Sequence, residues 1–127
     1  DVRHAATLVA RAPVGAGFEL GATARYATGR PYTPVVAWRA PAAGGPPQPV
    51  YGPAHAARLP AYGRLDVRVS RVAPAAGGTA VLYLEALNVL GRRNAIDHTY
   101  EPGSLQPRPV HAFFADRTVV AGVELRF

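Results

Sequence analysis

The chain contains no cysteine and no lysine. The first absence excludes disulfides and thiolate metal sites while leaving the compartment open. The second means that the net charge of +6 rests on 14 arginines. A basic balance invites nucleic acid or anionic lipid as a partner. The arginines are scattered, however, and only Arg92 and Arg93 are adjacent, so no basic stripe forms and no nucleic-acid site is expected. Long apolar runs are missing too. No stretch reaches the roughly 18 to 20 consecutive apolar residues of a membrane-spanning helix, and the opening DVRHAATLVA has neither the basic start nor the long apolar centre of a secretory signal. The chain opens on Asp1 rather than Met, which implies a piece of a longer polypeptide.

Catalytic and cofactor signatures are equally scarce. His4, His55, His98 and His111 lie on separate segments without a His-x-His or i, i+4 spacing, so no metal site is expected. Asp97, Glu101 and Asp116 share one stretch, but no nucleophile and base accompany them, and they read as a wet loop. AAGG occurs at 42–45 and 75–78 with no helix to follow, which leaves turns rather than a phosphate cradle. The chain reads as a non-enzyme without a cofactor.

What is present is strand. The composition is 49% hydrophobic, typical of a folded chain, with 13 Gly and 13 Pro to punctuate it. Five proline-free segments alternate in polarity with period 2: Val2 to Ala12, Gly17 to Ala27, Tyr62 to Ala73, Ala80 to Gly91 and Arg117 to Phe127. Pro cannot donate to a ladder, so its confinement to the connections is what a sheet demands. The connections run short, long, short, long: 13–16, 28–61, 74–79 and 92–116. The segments are 11 or 12 residues long, against roughly 5 to 6 for a globular strand and roughly 9 to 11 for a tilted strand crossing a bilayer. The expected fold is all-β, an antiparallel up-and-down meander of about five long strands.

The faces of these strands are unlike. In Gly17 to Ala27 one face carries Phe18, Leu20, Ala22, Ala24 and Tyr26, and the other Glu19, Gly21, Thr23 and Arg25. Along a tilted strand Phe18 and Tyr26 stand some 20 Å apart, near the roughly 25 Å band between the aromatic girdles of a membrane barrel. Arg64, Asp66 and Arg68 oppose Leu65, Val67 and Val69; Glu85 opposes Leu84, and Glu124 and Arg126 oppose Val123 and Leu125. A soluble sandwich alternates in the same way. Strand length, loop rhythm and an apolar face rich in Ala and Val favour the membrane. A turn at 14–16 would set Arg11 opposite Glu19, and a turn within PAAGGT would set Arg68 opposite Glu85 and Val69 opposite Leu84.

Four runs carry a resemblance: TGRPYTP at Thr28 to Pro34, RLPAYGRLDVRVSRV at Arg58 to Val72, YLEALNVLGRRNAIDHTYE at Tyr83 to Glu101, and the closing strand that ends on Phe127. In this order, over residues 17–127, they resemble the C-terminal end of TonB-dependent outer-membrane receptors. The resemblance implies a C-terminal fragment of a transmembrane β-barrel of about 22 strands, with the plug domain absent from this chain. It implies a place in the bacterial outer membrane and uptake of a scarce nutrient, such as a siderophore, cobalamin, haem or a glycan, with energy supplied through TonB. It also implies outward loops at 28–61 and 92–116, and Phe127 as an assembly signal for the barrel assembly machinery. The partners implied are outer-membrane lipid, the remaining strands and plug of the same polypeptide, the TonB complex through the missing N-terminal part, and a small ligand of unknown identity.

On this reading Arg11, Glu19, Arg25, Arg64, Asp66, Arg68, Glu85, Glu124 and Arg126 face the lumen. Arg30, Tyr32, Trp38, Arg39, Tyr51 and His55, in the proline-rich 28–61 loop, are candidate ligand contacts, because a stiffened loop loses little entropy on binding and aromatics and Arg dominate contact surfaces. The plainer reading of that loop is a protective one packed on its neighbours. Two other functions fit the strands: a plug-less outer-membrane porin or adhesin, and a soluble β-sandwich binding module.

Overall fold

Alternating polarity makes each long segment a strand with one apolar and one polar face, and glycine lets the chain reverse between them. In a computed structural model that describes all of residues 1–127, the chain is all-β. Its strands are β1 (Ala5–Gly15), β2 (Phe18–Ala27), β3 (Pro31–Tyr32), β4 (Val35–Arg39), β5 (Gln48–Tyr51), β6 (Ala57–Arg58), β7 (Tyr62–Ala75), β8 (Gly78–Leu87), β9 (Ala95–Tyr100), β10 (Pro107–His111) and β11 (Thr118–Arg126). The long strands form one five-stranded sheet in the order β1-β2-β7-β8-β11, a meander with β1 and β11 at its edges. The chain divides into two units: the sheet unit, at 5–26, 63–92 and 114–127, and a second unit, at 1–4, 27–62 and 93–113.

Cross-strand pairing sorts the side chains of the sheet. Val67 pairs with Ala86 and Val69 with Leu84 across β7–β8, while Val119 pairs with Ala86, Ala121 with Leu84, Val123 with Leu82 and Leu125 with Ala80 across β8–β11. Directly opposed residues share a face, so these form one apolar surface. Arg68 pairs with Glu85 on the other face, the register expected from the turn in PAAGGT. Arg71 pairs with Leu82 and so belongs to the apolar face, where its guanidinium lies 5.1 Å from the centre of the Phe18 ring.

The turns are tighter than the spacing suggests. β1 and β2 join through Ala16 and Gly17, both left-handed at φ 52° and 76°. A two-residue turn of that kind matches the strand twist. Val72 donates its N–H to the Gly17 carbonyl at 3.1 Å, which fixes the turn against β7. β7 and β8 join through Ala76 and Gly77, with Ala75 opposite Gly78. Shorter turns lengthen the strands, so Pro13 and Pro74 fall inside β1 and β7 rather than outside them. Both lie near the turn ends, where a missing N–H costs least. The expected Arg11–Glu19 pairing fails for the same reason. A Cβ on Gly21 would stand 3.9 Å from Arg11 Cγ, so Arg11 flanks Gly21 rather than Glu19.

One stack crosses three strands on the polar face. Arg68 Cζ lies 4.0 Å from the centre of the Tyr83 ring, and the Tyr83 ring covers Gly122, where an added Cβ would overlap it. A large ring over a strand glycine shields backbone that has no side chain of its own. Gly122→Val should therefore expel Tyr83 and cost about 1 to 3 kcal/mol, read from the denaturant midpoint of the folded protein. In a Tyr83→Ala background the same substitution should be nearly neutral, because the obstacle is gone.

The stretches expected as loops at 28–61 and 92–116 contain built structure. β4 and β5 form a hairpin, β9 and β10 form another, and β3 pairs with β6 through Pro31–Arg58 and Tyr32–Ala57. Pro31, Pro49, Pro107 and Pro109 sit in these strands, which two-stranded ladders tolerate because each strand has a free edge. Burial is sparse throughout. Val35, Leu59 and Val81 are the only buried apolar residues, and β1 is exposed along its whole length.

Candidate functional site

The polar face of the sheet is built around Asp66. The alternation in RLDVR sends Arg64, Asp66 and Arg68 to one side of β7, and Asp66 is only 8% exposed. Burying a carboxylate demands partners. Arg64 Nε donates to Asp66 Oδ1 at 2.7 Å, the Asn88 N–H donates to the same oxygen at 2.9 Å, and Arg25 Nη1 lies 3.8 Å from Oδ2. Arg64 Cζ also lies 5.4 Å from the centre of the Phe114 ring. Farther along the face, Arg68 and Glu85 stand 4.0 Å apart, and Arg126 pairs with Glu124 at 2.9 Å in the open. Exposed pairs of this second kind contribute little to stability.

Asn88, just past β8, is fully buried and carries several contacts at once. Its Nδ2 donates to the carbonyls of Arg92, Phe114 and Ala115 at 3.1, 3.1 and 2.8 Å, and its Oδ1 accepts from the Arg92 N–H at 3.3 Å. The Val89 N–H reaches the Leu65 carbonyl at 2.8 Å, and Arg117 Nε donates to the Val89 carbonyl at 2.9 Å. The RLD and LNVLGRRN runs therefore meet in space as one hydrogen-bonded knot.

The second unit contains the candidate contact residues, and three of them are engaged within it. Arg30 Nη2 donates to the Ile96 carbonyl at 3.0 Å, Trp38 Nε1 donates to the Ser104 carbonyl at 2.8 Å, and the Tyr32 ring meets His98 edge-on at 4.7 Å and 84°. Burial, followed by the neighbouring Tyr100 hydroxyl, pushes the Tyr32 phenol above its usual range and keeps it neutral. All three contacts tie 28–61 to 92–116. Arg39 and Tyr51 stand exposed on β4 and β5, with Tyr51 62% accessible, and His55 is exposed at φ 58°, its N–H on Thr33 Oγ1 at 3.1 Å.

Comparison with protein families, with curated proteins and with solved structures returns no match. No group of three His, Asp or Glu side chains is placed to hold a metal ion. Asp97 Oδ1 accepts from the His98 N–H within β9, and Glu101 pairs with Arg108 of β10 at 2.7 Å.

Of the residues expected to face the lumen, Arg25, Arg64 and Asp66 converge on one centre, and Arg68 joins Glu85. Glu124 joins Arg126, and Arg11 and Glu19 line one hollow of the polar face with Arg68, Glu124 and Arg126. Asn88 was not among the expected site residues. The LN dipeptide closing a strand is its only local signal, because Asn tolerates the left-handed backbone that a strand exit needs.

Proposed function

We propose that the chain is a wall segment of a TonB-dependent outer-membrane receptor, its apolar face toward lipid, its charged face toward the lumen, and its second unit forming surface loops. The observation that carries this reading is the uncovered apolar face: Leu84, Val123 and Val119 are 51%, 62% and 69% exposed. A sandwich would cover that face with a second sheet, and contiguous exposed apolar surface of this kind marks a protein or membrane contact. Two further features support lipid as the contact. Arg71 lies over Phe18 near one end of the apolar band, as a long basic side chain does when its head reaches the interface. β1 and β11 present unpaired edges, which only further strands of a barrel remove.

The test is fractionation of the intact polypeptide. It should sediment with the outer membrane, show heat-modifiable gel mobility, and support nutrient uptake that stops when the TonB complex is removed. A soluble product would overturn the reading, and uptake independent of TonB would point to a porin. Phe127 provides a finer test. It is 90% exposed and follows directly on β11. Phe127→Ala removes about 2 kcal/mol of apolar burial at an interface, too little to unfold a barrel. It should instead lower the amount of folded receptor several-fold while the molecules that assemble keep normal ligand affinity. Unchanged abundance with reduced affinity would show that Phe127 is no assembly signal.

A further inference from the structure

Three left-handed residues cluster where β8 ends and β11 is about to begin: Asn88 at φ 52°, Gly91 at 65° and Phe114 at 58°. Glycine adopts this conformation freely and Asn tolerates it, but for a residue as bulky as Phe it is a genuine outlier that persists only where the surroundings impose it. Two contacts bear directly on this backbone. The Asn88 amide holds the Phe114 and Ala115 carbonyls on one side and the Arg92 carbonyl and N–H on the other. The Arg64 guanidinium lies over the Phe114 ring. Arg92 and Phe114 are the two residues that flank the excursion at 93–113.

We infer that Asn88 is a positioning residue that clamps both chain ends of the 93–113 excursion, and that the strained backbone at Phe114 is maintained by this clamp. The chemistry is specific to an amide. The amide offers two N–H donors, one of them shared, to the Arg92, Phe114 and Ala115 carbonyls and an acceptor to the Arg92 N–H, and in a dry site each carbonyl left without its donor is costly. Asp66 fixes the clamp from behind through the Asn88 N–H, so the charged face of the sheet and the exit of the excursion share one support. The inference does not depend on what membrane or ligand the protein meets.

The experiment is hydrogen exchange on the intact folded polypeptide, comparing peptides that cover 89–95 and 112–117 with ladder peptides of β7 and β8. Asn88→Gly is the informative variant, because glycine keeps the left-handed backbone and removes only the amide. It should accelerate exchange at both chain ends by about tenfold to a hundredfold, the loss of two or three buried hydrogen bonds, and leave the ladder peptides unchanged. Phe114→Gly, which relieves the strain and removes the ring contact with Arg64 while keeping the Asn88 hydrogen bonds to the backbone, should leave exchange unchanged or slower, and should reduce the effect of Asn88→Gly when the two are combined. Uniform acceleration across the ladder, or no acceleration at the chain ends, overturns the clamp. Should Asn88→Gly fail to fold, Phe114→Gly decides alone: exchange as slow as in the parent supports the inference, and faster exchange at 112–117 overturns it.

Discussion

Asp66→Ala should destabilise the folded protein by about 3 to 5 kcal/mol, the loss expected when one member of a buried, hydrogen-bonded charge pair is removed and the other is stranded. The residue is 8% exposed and accepts from Arg64 and from the Asn88 backbone, with Arg25 close by. Its removal takes the carboxylate from between Arg64 and Arg25 and the acceptor from the Asn88 N–H. Asp66→Asn should cost less, because an amide oxygen can still accept from the Asn88 N–H, and this ordering separates charge from hydrogen bonding. Denaturant unfolding of the purified folded protein measures both. A loss below about 1 kcal/mol for Asp66→Ala, the range of exposed pairs, would mean that the centre is far more solvated than its burial implies.

Gly29→Ala should be nearly as damaging, for a reason that involves no charge. A Cβ at Gly29 would occupy the position of the Leu59 carbonyl, and the obstacle is backbone rather than a side chain that can swing aside. The same junction is held by the Leu59 N–H on the Arg30 carbonyl at 2.9 Å and by Arg58 Nη1 on the Gly29 carbonyl at 3.0 Å. One methyl group therefore forces apart the short β3–β6 ladder. Such overpacking costs about 1 to 3 kcal/mol, and more where backbone must move. Protease cleavage within 27–62 should accelerate at least tenfold while the five-stranded sheet persists. Wild-type cleavage rates would show that the junction shifts without resistance.

These two residues illustrate how far the sequence alone reaches. The long strands were legible because period-2 alternation sets one face of each against the other, and the Arg68–Glu85 register followed from turn position and polarity together. The first turn was misplaced by one or two residues because its left-handed pair begins with Ala16, where glycine is the expected signal. The short hairpins of the second unit went unseen. VVAWR and AIDHTY are too brief to establish a period, and proline in their partners argues against strand.

The candidate site was legible only in part. Asp66 and its arginines declare themselves by alternation, but Asn88 acts on backbone carbonyls 26 and 27 residues away, which no spacing announces. Trp38, Tyr32 and Arg30 looked like free contact residues because their partners, the Ser104 and Ile96 carbonyls and the His98 ring, lie on the other excursion. What separates the two outcomes is range: local patterns encode facing, whereas a carbonyl partner far along the chain leaves no trace in composition.

The two-residue turn between β7 and β8 has a kinetic consequence. Ala75 to Gly78 closes a hairpin whose contacts are all near in sequence, so β7 and β8 can zip together on the microsecond scale of isolated hairpins. The junctions of β2 with β7 and of β8 with β11 must each first enclose a long excursion, at 28–61 and at 88–117, and this loop-closure entropy delays them. β7–β8, closed like the edge hairpin β1–β2 by a two-residue turn but set at the centre of the sheet, is thus the natural seed onto which the other strands add. Mutations along its ladder, such as Val69→Ala opposite Leu84, should slow folding, whereas mutations confined to β11 should mainly speed unfolding.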